Sequence, residues 1–203
     1  MCASSPTGGS FRRRLTQDQK TAETRRRLLD AAVLCLIDHG YANTTTSEIA
    51  ERAGLSRGAQ LYHFPGKEEL IAGAVEHLFE LMFGEMKEKV SRLTNENDRR
   101  ATAIDLLWEI CNGRLATAWL ELVVASRTDS YLRESVSAVN DRVALFIDQS
   151  FKELFPRPAA AGADYELIPQ VVVLILEGMA LEGPTMNPNL TARILDALKT
   201  VQL

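Results

Sequence analysis

TTTSEIAERAGLSRGAQLYHFPGK, residues 44–67, encodes two short helices and the tight turn between them. Thr45, Thr46, Ser47 and Glu48 spell a capping box. The Thr45 hydroxyl accepts from the backbone N–H three residues on, and Glu48 reaches back to the N–H of Thr45. Ile49, Ala50 and Ala53 fall on one side of the first helix, which Gly54 closes from the left-handed region. Ser56 is an N-cap. The second helix runs from about Arg57 to Phe64 and stops at Pro65-Gly66. Two short helices joined by a brief, glycine-containing turn make a helix-turn-helix. Helices this short are marginal alone and need a packing partner.

The partner lies immediately upstream. Between Thr21 and His39, the pairs Leu28/Leu29, Ala32/Val33 and Leu36/Ile37 recur every four residues, giving one apolar stripe on a helix that Gly40 ends. Arg25, Arg26 and Arg27 sit near its start. Three helices around a small core complete a DNA-binding head.

A first helix ending HGY, followed by TTTSEIAERAGLSRGAQLYHFPGKEEL, resembles the DNA-binding head of the TetR family of bacterial transcriptional regulators, over residues 21–75. The resemblance implies an all-α protein with a C-terminal ligand-binding and dimerisation domain, acting as a two-fold dimer on a palindromic operator in double-stranded DNA. Position by position it implies that Thr46 and Ser47 meet a phosphate at a helix start. Arg57 reads a guanine edge in the major groove. Gly58 and Ala59 let the backbone approach closely, with Ala59 against a thymine methyl. Tyr62, His63 and Lys67 reach phosphates, though a lone histidine such as His63 is equally at home as a structural residue. The chain departs from the family at Gln60-Leu61, where an apolar residue then tyrosine is usual. Leu61 is therefore expected to take over packing and Gln60 to face outward. Thr45, Ser56 and Phe64 serve the fold.

Charge is divided along the 203 residues. The net charge is −4, but residues 1–67 hold 10 Lys+Arg against 6 Asp+Glu, while the remainder holds 13 against 21. A basic end on an acidic body suits a chain that presents one end to phosphates. Residues 1–20, with Arg12, Arg13 and Arg14, read as a flexible basic arm: either an extra phosphate or minor-groove contact or a solvated tail. No apolar run is long enough for a bilayer and no signal-peptide core follows the arginines, so a cytoplasmic protein without membrane contact is expected. Cys2, Cys35 and Cys111 lack metal-ligand spacing and read as reduced cysteines.

From Lys67 to about Leu93 one helix of roughly 40 Å is expected, long enough to join the head to a separate body. The body reads as five further helices: 98–112, 115–126, 130–155, 165–182 and 190–203, with 95–97 and 156–163 as breaks. About nine helices make an all-α chain of three parts: arm 1–20, head 21–66, body 67–203. The strongly apolar stretch 168–181 must bury more than one face, either inside the subunit or in a four-helix homodimer interface, where Gly178 and Ala180 allow close approach. Phe79, Met82, Phe83, Met86, Trp108, Trp119, Phe146 and Met179 are large, adaptable side chains suited to plain core or to an apolar or aromatic small-molecule effector. Glu109 and Glu177 are polar handles only if they point inward; surface charge is the simpler reading. No nucleophile–base pair, P-loop or GxGxxG is present, and GLSRG follows a helix pattern, so no enzyme, cofactor or metal site is expected. The function expected is a transcriptional regulator, a repressor released by its effector. The alternatives are a regulator that senses a protein partner or acts constitutively, as an activator for example, and a helical enzyme.

Overall fold

The computed structural model describes residues 16–91, 99–155, 157 and 162–200. The arginine arm, the 95–97 break and most of the 156–163 loop fall outside them. Among the described residues there are nine α-helices and no strand. The head is α1 (Gln17–Asn43), α2 (Thr46–Arg52) and α3 (Arg57–His63). Helix α4 (Lys67–Ser91) leads into α5 (Arg99–Cys111), α6 (Arg114–Ala125), α7 (Ser130–Leu154), α8 (Ile168–Glu182) and α9 (Pro188–Thr200).

Helix α1 starts earlier than its apolar stripe. Thr16 caps it: the Gln19 N–H donates to the Thr16 hydroxyl at 3.2 Å, and the Thr16 N–H donates to the Gln19 amide oxygen at 2.9 Å. The cap precedes the first apolar residue by several positions, so periodicity alone misses it. Gly40 breaks α1 at φ +72°, and one further turn carries the chain to Thr44. Thr44 is fully buried, its hydroxyl donating to the Gly40 carbonyl at 2.7 Å.

The caps of the helix-turn-helix are largely as spelled. Thr45 accepts from the Glu48 N–H, Gly54 has φ +63°, and Ser56 accepts from the Ala59 N–H. The capping box is only half formed, however. The Glu48 carboxylate lies 2.9 Å from the His39 Nε2, because the end of α1 stands beside it and offers a competing partner.

One buried core runs through α1, α2, α4, α6 and α7, from Leu28 and Ile49 through Leu70 and Leu78 to Trp119, Leu122 and Val139. Gly73 matters within it. An added Cβ would lie 3.1 Å from both Leu29 and Phe64, so its bareness lets α4 press on the head. Helix α8 packs on α5, α6 and α7, and α9 packs on α5. Val171, Leu174 and Leu181 on α8 remain exposed, and nothing lies within 4 Å of a Cβ built on Gly178.

Candidate DNA-binding face and body cavity

The orientation of α3 decides what it offers. Its inner row is Gln60, 1% exposed, followed by the cap residue Phe64, also 1% exposed. Its outer rows are Arg57 with Leu61 and Gly58 with Tyr62, each pair four residues apart and all exposed. This reverses the expectation for Gln60 and Leu61. Gln60 packs and Leu61, 44% exposed, faces outward. Phe64 explains the reversal. It is the larger apolar group and lies one turn from Gln60, so burying it turns Gln60 inward. The buried amide is satisfied: Gln60 Nε2 donates to the Phe64 carbonyl at 2.7 Å.

The other residues singled out in the head differ in exposure. Thr46 and Ser47 open α2, the first half-buried and the second exposed. Ala59 is half-buried. A Cβ on Gly58 would meet only the Ser56 hydroxyl, at 3.9 Å, so the backbone there is open to close approach. Tyr62 is 80% exposed, with its ring edge-on to His63 at 5.1 Å. Lys67 opens α4 with its ammonium 5.0 Å from the Tyr41 ring centre.

Two of the three arginines of α1 brace the two short helices, a role the sequence pattern does not reveal. The Arg25 guanidinium lies 4.2 Å from the Phe64 ring centre and donates to the His63 carbonyl. Arg27 donates to the Ala53 carbonyl and so closes the C-terminus of α2. Arg26 instead pairs with Glu23 and Asp30 on its own helix. Arg57 and Leu61 share one exposed row of α3, and that row becomes readable only once Phe64 fixes the helix phase.

Polar contacts tie head to body. The Tyr41 hydroxyl donates to Asp129 at 2.7 Å, and the Tyr41 N–H donates to Glu121 at 3.2 Å. Burial, then the Asp129 carboxylate, pushes the Tyr41 phenol up to about 12. The Leu132 N–H, then the Tyr41 hydroxyl, holds Asp129 below the usual carboxylate range. Arg52 and Arg114 both pair with Asp38.

The body encloses two adjoining apolar chambers. The wider, about 110 Å³, lies among α4, α5, α7 and α8 and includes Phe146 and Met86. The narrower, about 40 Å³, is walled by Phe79, Met82, Phe83, Trp119 and Val139, with Glu177 and Cys111. Met86, Leu107, Ile110 and Ile147 line both. Trp108 and Met179 line neither. Glu109 is exposed and pairs with Lys89, whereas Glu177 is half-buried at the chamber wall, and burial raises its carboxyl above the ordinary glutamate value. Burial also pushes the Cys111 thiol up to about 12, which leaves it unreactive near neutral pH.

A capped helix-turn-helix with an exposed arginine on its second helix, braced on an all-helical body, defines a DNA-binding transcriptional regulator. The comparisons agree. Residues 28–74 match the model for bacterial regulatory proteins of the tetR family. An uncharacterised HTH-type transcriptional regulator of Mycobacterium tuberculosis (strain ATCC 25618 / H37Rv) is 29% identical over 195 residues, covering 93% of this chain and 98% of its own. The HTH-type transcriptional regulator CymR of Pseudomonas putida is 28% identical over 171 residues, 84% of each chain. The multidrug binding protein EbrR, solved in complex with imidazole, shares the fold with a TM-score of 0.61 at 19% identity, covering 88% of this chain and 96% of its own. The match to the tetR family thus covers the helix-turn-helix head and the start of α4. Among the described residues no helix is long and apolar enough to cross a membrane.

Proposed function

We propose that the protein is a cytoplasmic repressor which holds a palindromic operator as a homodimer and releases it when an apolar or aromatic effector enters the body. The observation that carries this reading is the double duty of α4. Its first half, with Leu70 and Ile71, packs into the head core; its second half, with Met86, forms a wall of both chambers. An occupant of the chambers therefore touches the same rigid helix that positions the head. EbrR, of the same fold, is a small-molecule-binding protein.

On DNA, Arg57 takes a guanine edge, Leu61 and Ala59 meet thymine methyls, and Gly58 admits the backbone to the groove. Thr46, Ser47, Tyr62, His63 and Lys67 hold phosphates. Two heads on successive major grooves stand about 34–36 Å apart. The effector prefers a body conformation in which α4 is tilted and that spacing is lost, so the population shifts away from the operator-binding state. The apolar chambers favour this reading over a regulator that senses a protein partner or acts constitutively.

Sequencing genomic fragments retained by the purified protein tests the proposal. An enriched inverted repeat, released when a chamber-filling aromatic is added at fixed salt, is the expected result. A site lacking two-fold symmetry counts against the dimeric repressor. Tight aromatic binding with unchanged operator affinity counts against induction.

A further inference from the structure

We propose that the effector is an elongated apolar or aromatic molecule with a single positive charge at one end, seated with that charge against the Glu177 carboxylate. This rests on the reading of the chambers as the effector site. The argument starts from which charges the chambers hold and whether each already has a partner. At the wide chamber, the Lys89 ammonium is paired with Glu109 and Glu85 of the protein itself. Arg100 also lines that chamber, and neither cation lines the narrow one. Glu177 is different. It sits at the wall of the narrow chamber among Phe79, Phe83, Trp119 and Val173, and no hydrogen bond or ion pair is formed by it among the described residues. Cys111, from α5, is the other ionisable group lining that chamber, and it supplies no positive charge.

A half-buried carboxylate facing apolar walls without a partner is costly, and burial accordingly raises its proton affinity. A bound cation removes that cost, and the Trp119, Phe79 and Phe83 rings add attraction for it. A neutral apolar ligand leaves Glu177 unpaired; an anion repels it. Shape follows from the two chambers. The narrow one, about 40 Å³, accepts a headgroup, and the wide one, about 110 Å³, takes the apolar body across the shared wall of Met86, Leu107, Ile110 and Ile147.

The test is calorimetry on the full chain with three probes of one skeleton: 4-phenylbutylamine, 4-phenylbutanol and 4-phenylbutyrate. At pH 7.5 the amine is expected to bind at least about tenfold tighter than the other two, a difference of about 1.4 kcal/mol. In Glu177→Gln that preference is expected to collapse, with a thermal midpoint no lower than wild type confirming the fold. The amine keeps its charge below about pH 10. A fall in its affinity on acidification, in wild type alone, is therefore expected as Glu177 protonates above the ordinary glutamate range. If the alcohol binds as tightly as the amine, if the carboxylate binds tightest, or if Glu177→Gln keeps the amine preference, the cation reading is overturned while the effector site stands. If none of the three binds, both fall.

Discussion

Gln60 shows how one residue sets the face of a recognition helix. Its amide is satisfied by the Phe64 carbonyl, so a polar side chain lies buried at little net cost, and Arg57 and Leu61 are turned outward together. Hydrophobicity alone favours the opposite phase, since Leu61 is the more apolar of the pair. The deciding partner, Phe64, lies four residues beyond Gln60, just outside the helix. Arg57→Ala is expected to lower affinity for the selected operator by about 1–3 kcal/mol and to relax preference at one base pair per half-site. Anisotropy titrations at fixed salt, with operators altered one base pair at a time, measure this; equal loss on every sequence would make Arg57 a phosphate contact. Leu61→Ala, on the same row, is expected to weaken discrimination of thymine at a neighbouring position with a smaller loss. No change at any base pair would take Leu61 off the reading surface.

At the scale of elements, the junctions between helices carry the most information. Caps and breakers were legible: Thr45, Gly54 and Ser56 all stand where their chemistry places them. What was not legible is long-range. Glu48 turns to His39, Arg25 and Arg27 brace the two short helices, and Tyr41 reaches Asp129, 88 residues away. Such pairings depend on how helices meet, and helix periodicity holds no record of them. The Gly40 junction is sensitive for two reasons. Its φ of +72° strains any residue with a Cβ, and that Cβ would lie 2.7 Å from the Glu121 carboxylate. Gly40→Ala is therefore expected to cost about 1–3 kcal/mol, seen as a lowered midpoint in urea with unchanged slope. The Tyr41–Asp129 bond adds a pH dependence. Asp129 has a lowered folded-state pKa, so its contribution is present above the ordinary carboxylate range and is lost as pH falls through the folded value. Tyr41→Phe is expected to cost roughly 0.5–1 kcal/mol at pH 7, the lower range reflecting solvent screening. The gap between mutant and wild-type melts should close as pH falls below the ordinary carboxylate range. A gap that stays constant with pH would assign the loss to packing.

At the scale of the molecule, the uneven charge and the outer face of α8 point the two ends of the chain to different partners. The basic head suits phosphates, while α8 carries Val171, Leu174, Gly178 and Leu181 along one exposed stripe, with Leu174 at 67% and Leu181 at 60% exposure. Amino-acid composition flagged this helix as one that must bury more than one face. It did not say which residues face inward, and Glu177, on the chamber side, read as a polar handle only if inward-pointing and more simply as surface charge. In the proposed homodimer the stripe meets its symmetry mate, and Gly178 allows the two helices to approach closely. The homodimer matters for function because the second head docks from a high effective concentration once the first is bound, which raises operator affinity by about 10²–10⁴-fold without any new base contact. Leu174→Glu places a carboxylate at the centre of the stripe and opposite its own copy. Since Leu174 is exposed within the subunit, the fold has little reason to suffer. The variant is expected to sediment as a monomer with an unchanged helical circular dichroism spectrum. Its affinity for the full inverted repeat should fall toward that for a single half-site, while half-site affinity stays as in wild type. A variant that remains dimeric by sedimentation would move the subunit interface away from α8, and one that loses half-site binding as well would show that the substitution reaches the head through the body.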